Sequence, residues 1–562
     1  MNRHLILDIT IALLLCLFFP LCLKAQGIVE RAYVHTDKDC YVAGEDIWVK
    51  LFVVDNRFQP SYFSKVGYVE ICDTQKPWVQ LKLTLENGSG AGKMEIPSHI
   101  PSGIYELSGY TRYMKNEGES IFFKKQIAII NVGQYSFLTD RIELINPAEK
   151  QWDAKQEETD IRVKTNTDEY SNRSLVQLSI DDLPENITDL VVSVSREDSL
   201  ILLPEIDKQR WIRQVTSTPV NVSSYPLIPE YEGHIITASV TPKPQGDRFM
   251  PNVAFVGKNI HYTNGQTNQT DGIVSFYTTD VYGPQELVAS VAPMQDEVRY
   301  QMSILSPFSE SLPDNLPALQ VRLNNKPLEE RYIGTQLKNI FVTDTIDDKP
   351  LLASYYHLHT PVRYDLNDYK RFETLGETIF EFVTELRVQR VDGKRKIRVS
   401  LEETDRYNIS DALVLLDGVP VYEHEDLLNY NPQHLRMIDV YNNYYILGGE
   451  IFEGIVSLTT HSGNLPFFQL REDSRLFIYD CPVLPSGLET PDYSDDSTKN
   501  SREPDFRHTL YWNPFIKPLQ EKSTQLSFYT SDLTGVFKVT VEGITKDGKM
   551  VYGTSHFKVV ER

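Results

Sequence analysis

Apolar and polar residues alternate along much of this chain with a period of two, which is the pattern of a strand with one buried face. The alternation is clear at residues 102–110, 190–195 and 235–240. Residues 47–54 are largely apolar and predict a long strand. The 31 Tyr and 25 Phe, against 8 Met, also favour strands. The pattern predicts a mainly β chain, and 562 residues are enough for several domains.

One segment carries a helical period instead. Between residues 374 and 386 the apolar positions fall on one face of a helix, and Thr374 with Glu377 makes a capping box at its start. The apolar stretches 386–388 and 397–399 follow, and the intervening Asp392-Gly393 predicts that they form a hairpin. A helix followed by a hairpin breaks the run of plain sandwiches and predicts a small α+β unit.

Residues 413–463 complete this unit with three further strands. An apolar run ends at Asp417-Gly418, which we interpret as a tight turn rather than a site, because glycine accepts a positive φ. Asn431-Pro432 supplies an N-cap followed by proline at the first helical position. The three strands are expected at residues 413–416, 438–440 and 455–460.

The same stretch resembles the plug domain of TonB-dependent outer-membrane receptors. The matching blocks are residues 415–421, 431–440 and 454–463, in the order that the plug has them. Only 99 residues follow Gly463. A barrel of about 22 strands at roughly ten residues each would need about 220. The resemblance therefore implies a plug-like fold, and the expectation is a domain without a transmembrane barrel of its own.

Residues 28–133 resemble the second domain type (MG2) of α2-macroglobulins, which is an immunoglobulin-like β-sandwich. The motif His35-Thr36-Asp37-Lys38, Tyr41, Gly44-Glu45 and residues 90–94 and 102–105 carry the likeness. Residues 36–41 recur in spacing at 165–170, where Thr165 and Tyr170 match Thr36 and Tyr41. This repeat predicts a second, degenerate macroglobulin-like sandwich. Residues 231–305 are similar to the carboxypeptidase-regulatory-like module, a fold name that implies no peptidase activity.

The resulting prediction is a multidomain chain of tandem β-sandwiches, then the small plug-like α+β domain, then a C-terminal β-domain. The predicted boundaries are 1–25 for a signal peptide, 28–133, 160–230 and 231–305 for the sandwiches, 306–360 for a linker region, 361–466 for the plug-like domain and 467–562 for an acidic loop with the C-terminal β-domain.

The net charge limits the possible partners of the protein, and the N-terminal sequence indicates its location. The formal net charge of −22 excludes a nucleic-acid partner, since no excess of cations exists to neutralise phosphates. A short polar start, an apolar run at 9–23 and the small residue Ala25 predict a secretory signal peptide. Cys16 and Cys22 lack the small preceding residues of a lipid-anchor box, so cleavage is favoured over lipidation. The expected location is the periplasm or the outer membrane.

No motif predicts a catalytic, cofactor or metal site. Cys40, Cys72 and Cys481 do not open the Cys-Gly-Glu-Gln thioester of protease-trapping macroglobulins. A Cys40–Cys72 bridge is possible, but free or semi-buried thiols are favoured. His357 and His359 lack a third ligand, and His424-Glu425 lacks the second histidine of a zinc protease. Residues 88–92 are glycine-rich without a phosphate-binding continuation, which indicates a hairpin turn.

These features together resemble exported proteins of the Bacteroidetes type. The resulting hypothesis is a non-enzymatic scaffold of the cell envelope that presents the plug-like domain to a protein partner in the outer membrane or periplasm. Tandem sandwiches also expose sheet edges, to which a partner strand can add. The alternative is a protease inhibitor without a thioester that uses the acidic loop 489–505, expected to be exposed and mobile. A hydrolase without local motifs is a third hypothesis.

Overall fold

The computed structural model describes residues 29–133, 142–145, 159–197, 227–244, 249–268, 272–292, 298–322, 325–341, 343–346, 360–391, 393–400, 412–447, 450–516 and 523–561. Strands dominate and gather into several sheets with separate apolar cores, so the expectation of a mainly β, multidomain chain with tandem sandwiches is confirmed. The segment predicted as a signal peptide, including Cys16 and Cys22, lies outside the described residues.

The first sandwich occupies residues 29–133. Its strands are β1 (Arg31–Thr36), β2 (Cys40–Val42), β3 (Asp46–Val54), β4 (Val66–Cys72), β5 (Pro77–Thr84), β6 (Ser89–Glu95), β7 (Gly103–Thr111) and β8 (Phe123–Ile130), with 3-10 turns at Tyr113–Glu117 and Glu119–Ile121. Sheet β1-β3-β6 packs against sheet β2-β8-β7-β4-β5. The glycine-rich stretch 88–92 turns at Gly88, where φ is +78°, into β6, as the sequence predicts.

The chain then forms parts of two further sandwiches and several elements outside them. Its elements are β9 (Ile142–Ile145), β10 (Arg162–Thr165), β11 (Glu169–Ser171), β12 (Leu175–Asp181), β13 (Ile187–Arg196), β14 (Ile235–Thr241), β15 (Pro251–Phe255), β16 (Tyr262–Asn264), β17 (Gln266–Asn268), β18 (Ile273–Tyr277), β19 (Pro284–Val291), β20 (Gln301–Ile304), β21 (Leu319–Arg322), helix α1 (Asn325–Phe341) and β22 (Thr343–Ile346). The elements outside the sandwiches are β9, β21 and α1.

The chain then forms the α+β domain and afterwards adds the last strands of the third and second sandwiches. The elements are β23 (Val362–Asp365), a 3-10 turn (Leu366–Asp368), α2 (Leu375–Phe382), β24 (Leu386–Val391), β25 (Lys394–Val399), β26 (Leu413–Leu416), β27 (Val419–Pro420), α3 (His424–Leu428), a 3-10 turn (Pro432–His434), β28 (Leu435–Leu447), β29 (Glu450–Thr460), β30 (Arg475–Asp480), β31 (Ser486–Glu489), α4 (Asp496–Lys499), β32 (Thr509–Asn513), β33 (Thr524–Tyr529), β34 (Gly535–Thr545) and β35 (Met550–Val560).

The second sandwich is assembled from two distant parts of the chain. Its sheets are β10-β12-β33 and β11-β35-β34-β13-β32-β31-β22. Its core joins side chains of β12 and β13, such as Leu178 and Val192, to side chains of β34 and β35, such as Val541 and Val559. The predicted boundaries 160–230 and 467–562 are therefore wrong, because neither group of strands covers its apolar face without the other.

The second sandwich repeats the first strand by strand. β10, β11, β12 and β13 correspond to β1, β2, β3 and β4, while β32 to β35 correspond to β5 to β8. In both, the second strand lies parallel to the last one. The first sandwich joins its fourth and fifth strands by a short turn at Asp73, and the second has at that point a long insertion. The insertion begins and ends together, since the Arg196 N–H donates to the His508 carbonyl at 2.8 Å.

A second insertion lies inside the first. The third sandwich has sheets β17-β18-β14-β20 and β16-β15-β19-β30, and β30 comes from beyond the α+β domain. The α+β domain has the sheet β23-β28-β29-β26-β27, covered on one face by α2, α3 and the hairpin β24–β25. Helix α2 begins at the predicted capping box of Thr374 and Glu377, and the predicted hairpin is also confirmed. The predicted limit at residue 305 thus misses the contribution of β30.

The region predicted as a linker, 306–360, carries regular structure. β21 pairs in parallel with β9, and β22 pairs with β31 at the edge of the second sandwich. Helix α1 places Arg331, 2% exposed, against Cys40 of the first sandwich. The linker prediction is wrong for these elements. Their pairing strands lie far away in sequence, so no local pattern of residues predicts the elements.

Candidate partner-binding surface on the α+β domain

The Asp417-Gly418 turn fixes the base of the α+β domain. The buried Asp417 carboxylate accepts hydrogen bonds from the Thr460 backbone N–H and hydroxyl, both at 2.7 Å, and from the Leu465 N–H at 2.8 Å. Its carbonyl accepts from the Gly257 N–H of the third sandwich at 2.9 Å. Gly418 has φ +79°, and a Cβ there would lie 2.8 Å from the Phe255 carbonyl oxygen. The turn predicted here is confirmed, and its carboxylate is fully used in holding the chain.

One face of the domain's sheet is mounted on the third sandwich. Leu413, Leu415 and Ile455 pack with side chains of the sheet that contains β15, β16 and β19 in an apolar cluster. Two side-chain amides add direction, since Asn264 donates to the Leu447 carbonyl at 2.9 Å and Asn252 donates to the Tyr422 hydroxyl at 2.7 Å. Burial raises the pKa of Tyr422 to about 12. A buried apolar contact of this kind holds the domain in one orientation.

The far end of the domain is a long hairpin made by the ends of β28 and β29. Tyr445 and Leu447 point to the third sandwich and are buried. On the opposite face Tyr444, Ile446 and Ile451 are 51%, 71% and 64% exposed. Ile446 and Ile451 lie directly opposite each other in the strand register. Three large apolar side chains therefore form one exposed surface, which we call the distal apolar face.

Basic residues concentrate on the hairpin β24–β25 of the same domain. The Lys394 ammonium lies 3.1 Å from the Glu423 carboxylate, and the Arg395 guanidinium lies 2.6 Å from that of Glu425. The Arg395 hydrogen bonds hold the pKa of Glu425 below its usual value. These pairs join the hairpin to α3 and its N-terminal flank.

Of the histidines singled out in the sequence, His424 has a structural role. His424 is buried, and its Nδ1 accepts a hydrogen bond from the Ile397 N–H at 2.9 Å. His357 and His359 lie outside the described residues. Among the side chains that the structure describes, no group of three or more His, Cys, Asp and Glu could hold a metal ion.

The three cysteines that the structure describes, Cys40, Cys72 and Cys481, are buried thiols. No disulfide joins Cys40 to Cys72, although both belong to the first sandwich as the sequence indicates. Burial raises the pKa of Cys72 and of Cys481 to about 12, which keeps both protonated. The Cys40 sulfur instead accepts a hydrogen bond from the Arg331 guanidinium at 3.3 Å.

The acidic loop 489–505, predicted to be exposed and mobile, is anchored. Tyr493 is 4% exposed, and its hydroxyl donates to the Asp505 carboxylate at 3.0 Å. The Arg173 guanidinium donates to the carbonyls of Ser501 and Glu503 at 2.9 and 2.6 Å. Most of the loop is exposed, including residues 494–498 and 500–504, as the sequence predicts, while these hydrogen bonds hold it at Tyr493 and near residues 501–505.

A surface groove of about 400 Å³ lies where the first and second sandwiches meet. Asp55, Tyr62, Phe63 and Lys546 line it, and it contains no histidine or cysteine.

In the described ranges no helix is long and apolar enough to cross a bilayer.

Buried polar bridges between the sandwiches escaped sequence reasoning. Glu230 accepts from the Tyr68 hydroxyl and contacts the His234 Nδ1, both at 2.8 Å, while the His234 Nε2 lies 2.6 Å from the Tyr479 hydroxyl. Burial lowers the pKa of His234, which favours the neutral ring. The only local signal is the Glu-x-x-x-His spacing, which is too common to identify such a cluster.

No family model matches this chain, and no curated protein matches it in sequence. Solved structures similar to it include a Salmonella α2-macroglobulin reacted with methylamine, at TM-score 0.24 and 8% identity. Others are the native conformation of an Escherichia coli α2-macroglobulin, at 0.24 and 9%, and the same organism's α2-macroglobulin activated by porcine elastase, at 0.25 and 9%.

Each of these alignments covers 95% of this chain but only 39%, 40% and 44% of the respective macroglobulin. This chain thus spans about two fifths of the length of those proteins. At such TM-scores the whole-chain superposition is loose, and the domain description given above rests on this chain's own sheets and cores.

Proposed function

We propose that this protein is a non-enzymatic binding protein of the bacterial cell envelope, in which stacked β-sandwiches present the α+β domain to a protein partner. The observation that carries the proposal is the distal apolar face of Tyr444, Ile446 and Ile451. Clustered exposed apolar side chains on a folded domain are typical of interaction sites, because water contact with them is unfavourable.

Two features support a presenting role. The domain is mounted on the third sandwich through a buried apolar contact, so the distal apolar face is held in a fixed direction. The three large side chains are aromatic or β-branched and lose little conformational freedom when a partner covers them. The envelope location, the plug-like character of the domain and the Bacteroidetes-type origin belong to the proposal and rest on the N-terminal sequence and the resemblance already described.

The test is a capture experiment in the native envelope. A photo-crosslinking amino acid at position 446 is expected to give one discrete adduct with an envelope protein. The variant Ile446→Ser/Ile451→Ser should lower recovery of that protein about tenfold or more, since loss of about 2 kcal/mol or more of apolar burial has that effect.

Phe380→Ser supplies the matched control, because Phe380 is an apolar residue on α2 of the same domain and is even more exposed, at 86%. Capture should be unchanged in this variant. Equal loss in both variants, or no discrete adduct at position 446, would refute a specific role for the distal apolar face.

A further inference from the structure

Strand β30 is an open sheet edge. It pairs with β19 on one side, from Arg475 opposite Ala289 to Asp480 opposite Pro284. It is the last strand of its sheet, and no further strand of the described chain pairs with it. The adjoining residue Val483 pairs with Leu83 of the first sandwich, so the edge ends where the two sandwiches meet.

The hydrogen bonds around β30 show which backbone groups point outward. The Cys481 N–H donates to the Gly283 carbonyl at 2.9 Å, so residue 481 faces β19. The backbone N–H and C=O groups of successive residues point to opposite sides of a strand. Those of Phe477 and Tyr479 therefore also point to β19, whereas those of Leu476 and Ile478 point to the open edge. The Lys82 ammonium reaches the Asp480 carbonyl from that open side, in agreement with this alternation.

The outward residues of β30 are also apolar. The side chains of Leu476 and Ile478 are 51% and 84% exposed and lie on one face of the sheet. Among the described residues, none forms a backbone hydrogen bond with their outward N–H and C=O groups. Proteins usually protect a sheet edge with charge, proline or a bulge, and this pair of residues has none of these.

We propose that β30 pairs with β30 of a second copy of this chain, antiparallel and centred on Phe477. In this register Leu476 of one copy lies opposite Ile478 of the other. Both residues have outward N–H and C=O groups, so each donates and accepts one backbone hydrogen bond across the two-fold axis. Their side chains share one face, so the paired strands cover each other's exposed apolar surface.

The strand's own composition favours this occupant. Arg475 begins it and Asp480 ends it, and antiparallel pairing brings the basic end of each copy beside the acidic end of the other. A foreign strand would have to reproduce the same order of charges and apolar residues. The contact is short, well below the roughly 1,200 Å² of a standard interface, so a weak, concentration-dependent dimer is expected. Self-association of this kind is independent of the proposed function of the α+β domain.

Sedimentation velocity over a wide concentration range tests the proposal. The wild-type chain should show a rising sedimentation coefficient that fits a monomer–dimer equilibrium. Ile478→Pro removes the outward N–H together with the exposed side chain, breaks no hydrogen bond to β19, and is compatible with an edge strand. It should retain the wild-type melting temperature and raise the dimer Kd about tenfold or more.

Phe380→Ser is the control, since it removes a comparable exposed apolar side chain outside both β30 and the distal apolar face, and it should dimerise as the wild type does. A wild-type chain that stays monomeric at every concentration overturns the proposal, as does a Pro variant that dimerises normally. Monomeric wild-type protein that binds a labelled Arg-Leu-Phe-Ile-Tyr-Asp peptide also overturns it, in favour of a foreign strand.

Discussion

Lys50 joins the first and second sandwiches through a fully buried charge. Its ammonium lies 2.5 Å from the Asp189 carboxylate and also donates to the Pro514 carbonyl. It lies 4.7 and 4.8 Å from the ring centroids of Phe52 and Phe515, which supply further electrostatic attraction. A buried ion pair adds little net stability, but removing one partner leaves the other charge without compensation.

Lys50→Met is therefore expected to lower the free energy of unfolding by about 3 kcal/mol. Adding Asp189→Asn removes the stranded charge while keeping an acceptor for Ser89, whose hydroxyl bonds Asp189. The double variant should recover about 1 kcal/mol or more of that loss. Urea denaturation of the four proteins measures the cycle, and strictly additive losses would contradict the pairing.

Titration of Lys50 should appear in the pH dependence of stability. Burial lowers the pKa of this ammonium to about 8, although Asp189 opposes the shift. The unfolded side chain titrates near 10.4, so between these values the unfolded chain binds more protons than the folded one. The free energy of unfolding must then rise with pH in that window.

We expect the wild type to gain about 3 kcal/mol relative to Lys50→Met as pH rises from about 8 to 10.4, because one pKa unit corresponds to about 1.36 kcal/mol. Below pH 8 the difference between the two proteins should be constant. Parallel profiles throughout the window would show that Lys50 is not the titrating group.

At the scale of elements, the two sandwiches share a turn that the sequence repeat identifies. In the first, the Tyr41 hydroxyl donates to the Asp37 carboxylate at 2.8 Å. In the second, the Tyr170 hydroxyl donates to the Asn166 side-chain oxygen at 2.5 Å. The same side-chain oxygen also accepts a hydrogen bond from a following strand. Asp37 accepts from the Trp48 N–H, and Asn166 accepts from the Gln177 N–H.

This equivalence makes a matched pair of variants. Tyr41→Phe removes the hydroxyl that contacts a buried carboxylate and the Lys38 carbonyl, and it should cost about 2 kcal/mol. Tyr170→Phe removes a bond to an exposed, neutral amide and should cost about 1 kcal/mol or less. Asp37 is 3% exposed, while Asn166 is exposed. Denaturation of the two variants measures the difference, and equal costs would show that burial and charge do not decide the strength of this turn.

Local patterns predicted the elements that depend on neighbouring residues. The capping box of Thr374, the turn at Asp417 and the Asn431 cap are all present, since their chemistry spans a few positions. Helix α1 was missed, because the buried guanidinium of Arg331 interrupts any apolar stripe. The distal apolar face also escaped prediction, since burial of Leu447 and exposure of Ile446 depend on which side the third sandwich covers.

At the scale of the molecule, the domains are inserted within one another rather than following one another along the chain. The α+β domain is inserted in the third sandwich, and the third sandwich is inserted in the second. Nesting gives each inserted unit two covalent connections to its host, which restricts rotation more than one linker would. Sequence order could not reveal it, because β13 finds its neighbours β32 and β34 more than 300 residues away.

Nesting predicts that a large excision is tolerated where a small truncation is not. Replacing residues 197–507 by Asn-Gly removes more than half of the chain yet keeps all eight strands that match the first sandwich. Its ends already meet at the Arg196–His508 hydrogen bond, where a two-residue hairpin turn fits. Loss of Leu488 and Phe308 from the core shared with the first sandwich should cost about 2–5 kcal/mol for each side chain, but cooperative unfolding should remain.

Truncation after residue 505 removes β32 to β35 and exposes the apolar side of β12 and β13, so residues 160–196 should become sensitive to protease. The first sandwich should be destabilised too, because its core includes Trp512 and Ile544. Limited proteolysis with mass spectrometry compares the two proteins. A resistant 160–196 fragment in the truncated chain would mean that the second sandwich does not need its C-terminal strands, and the nested arrangement would be refuted.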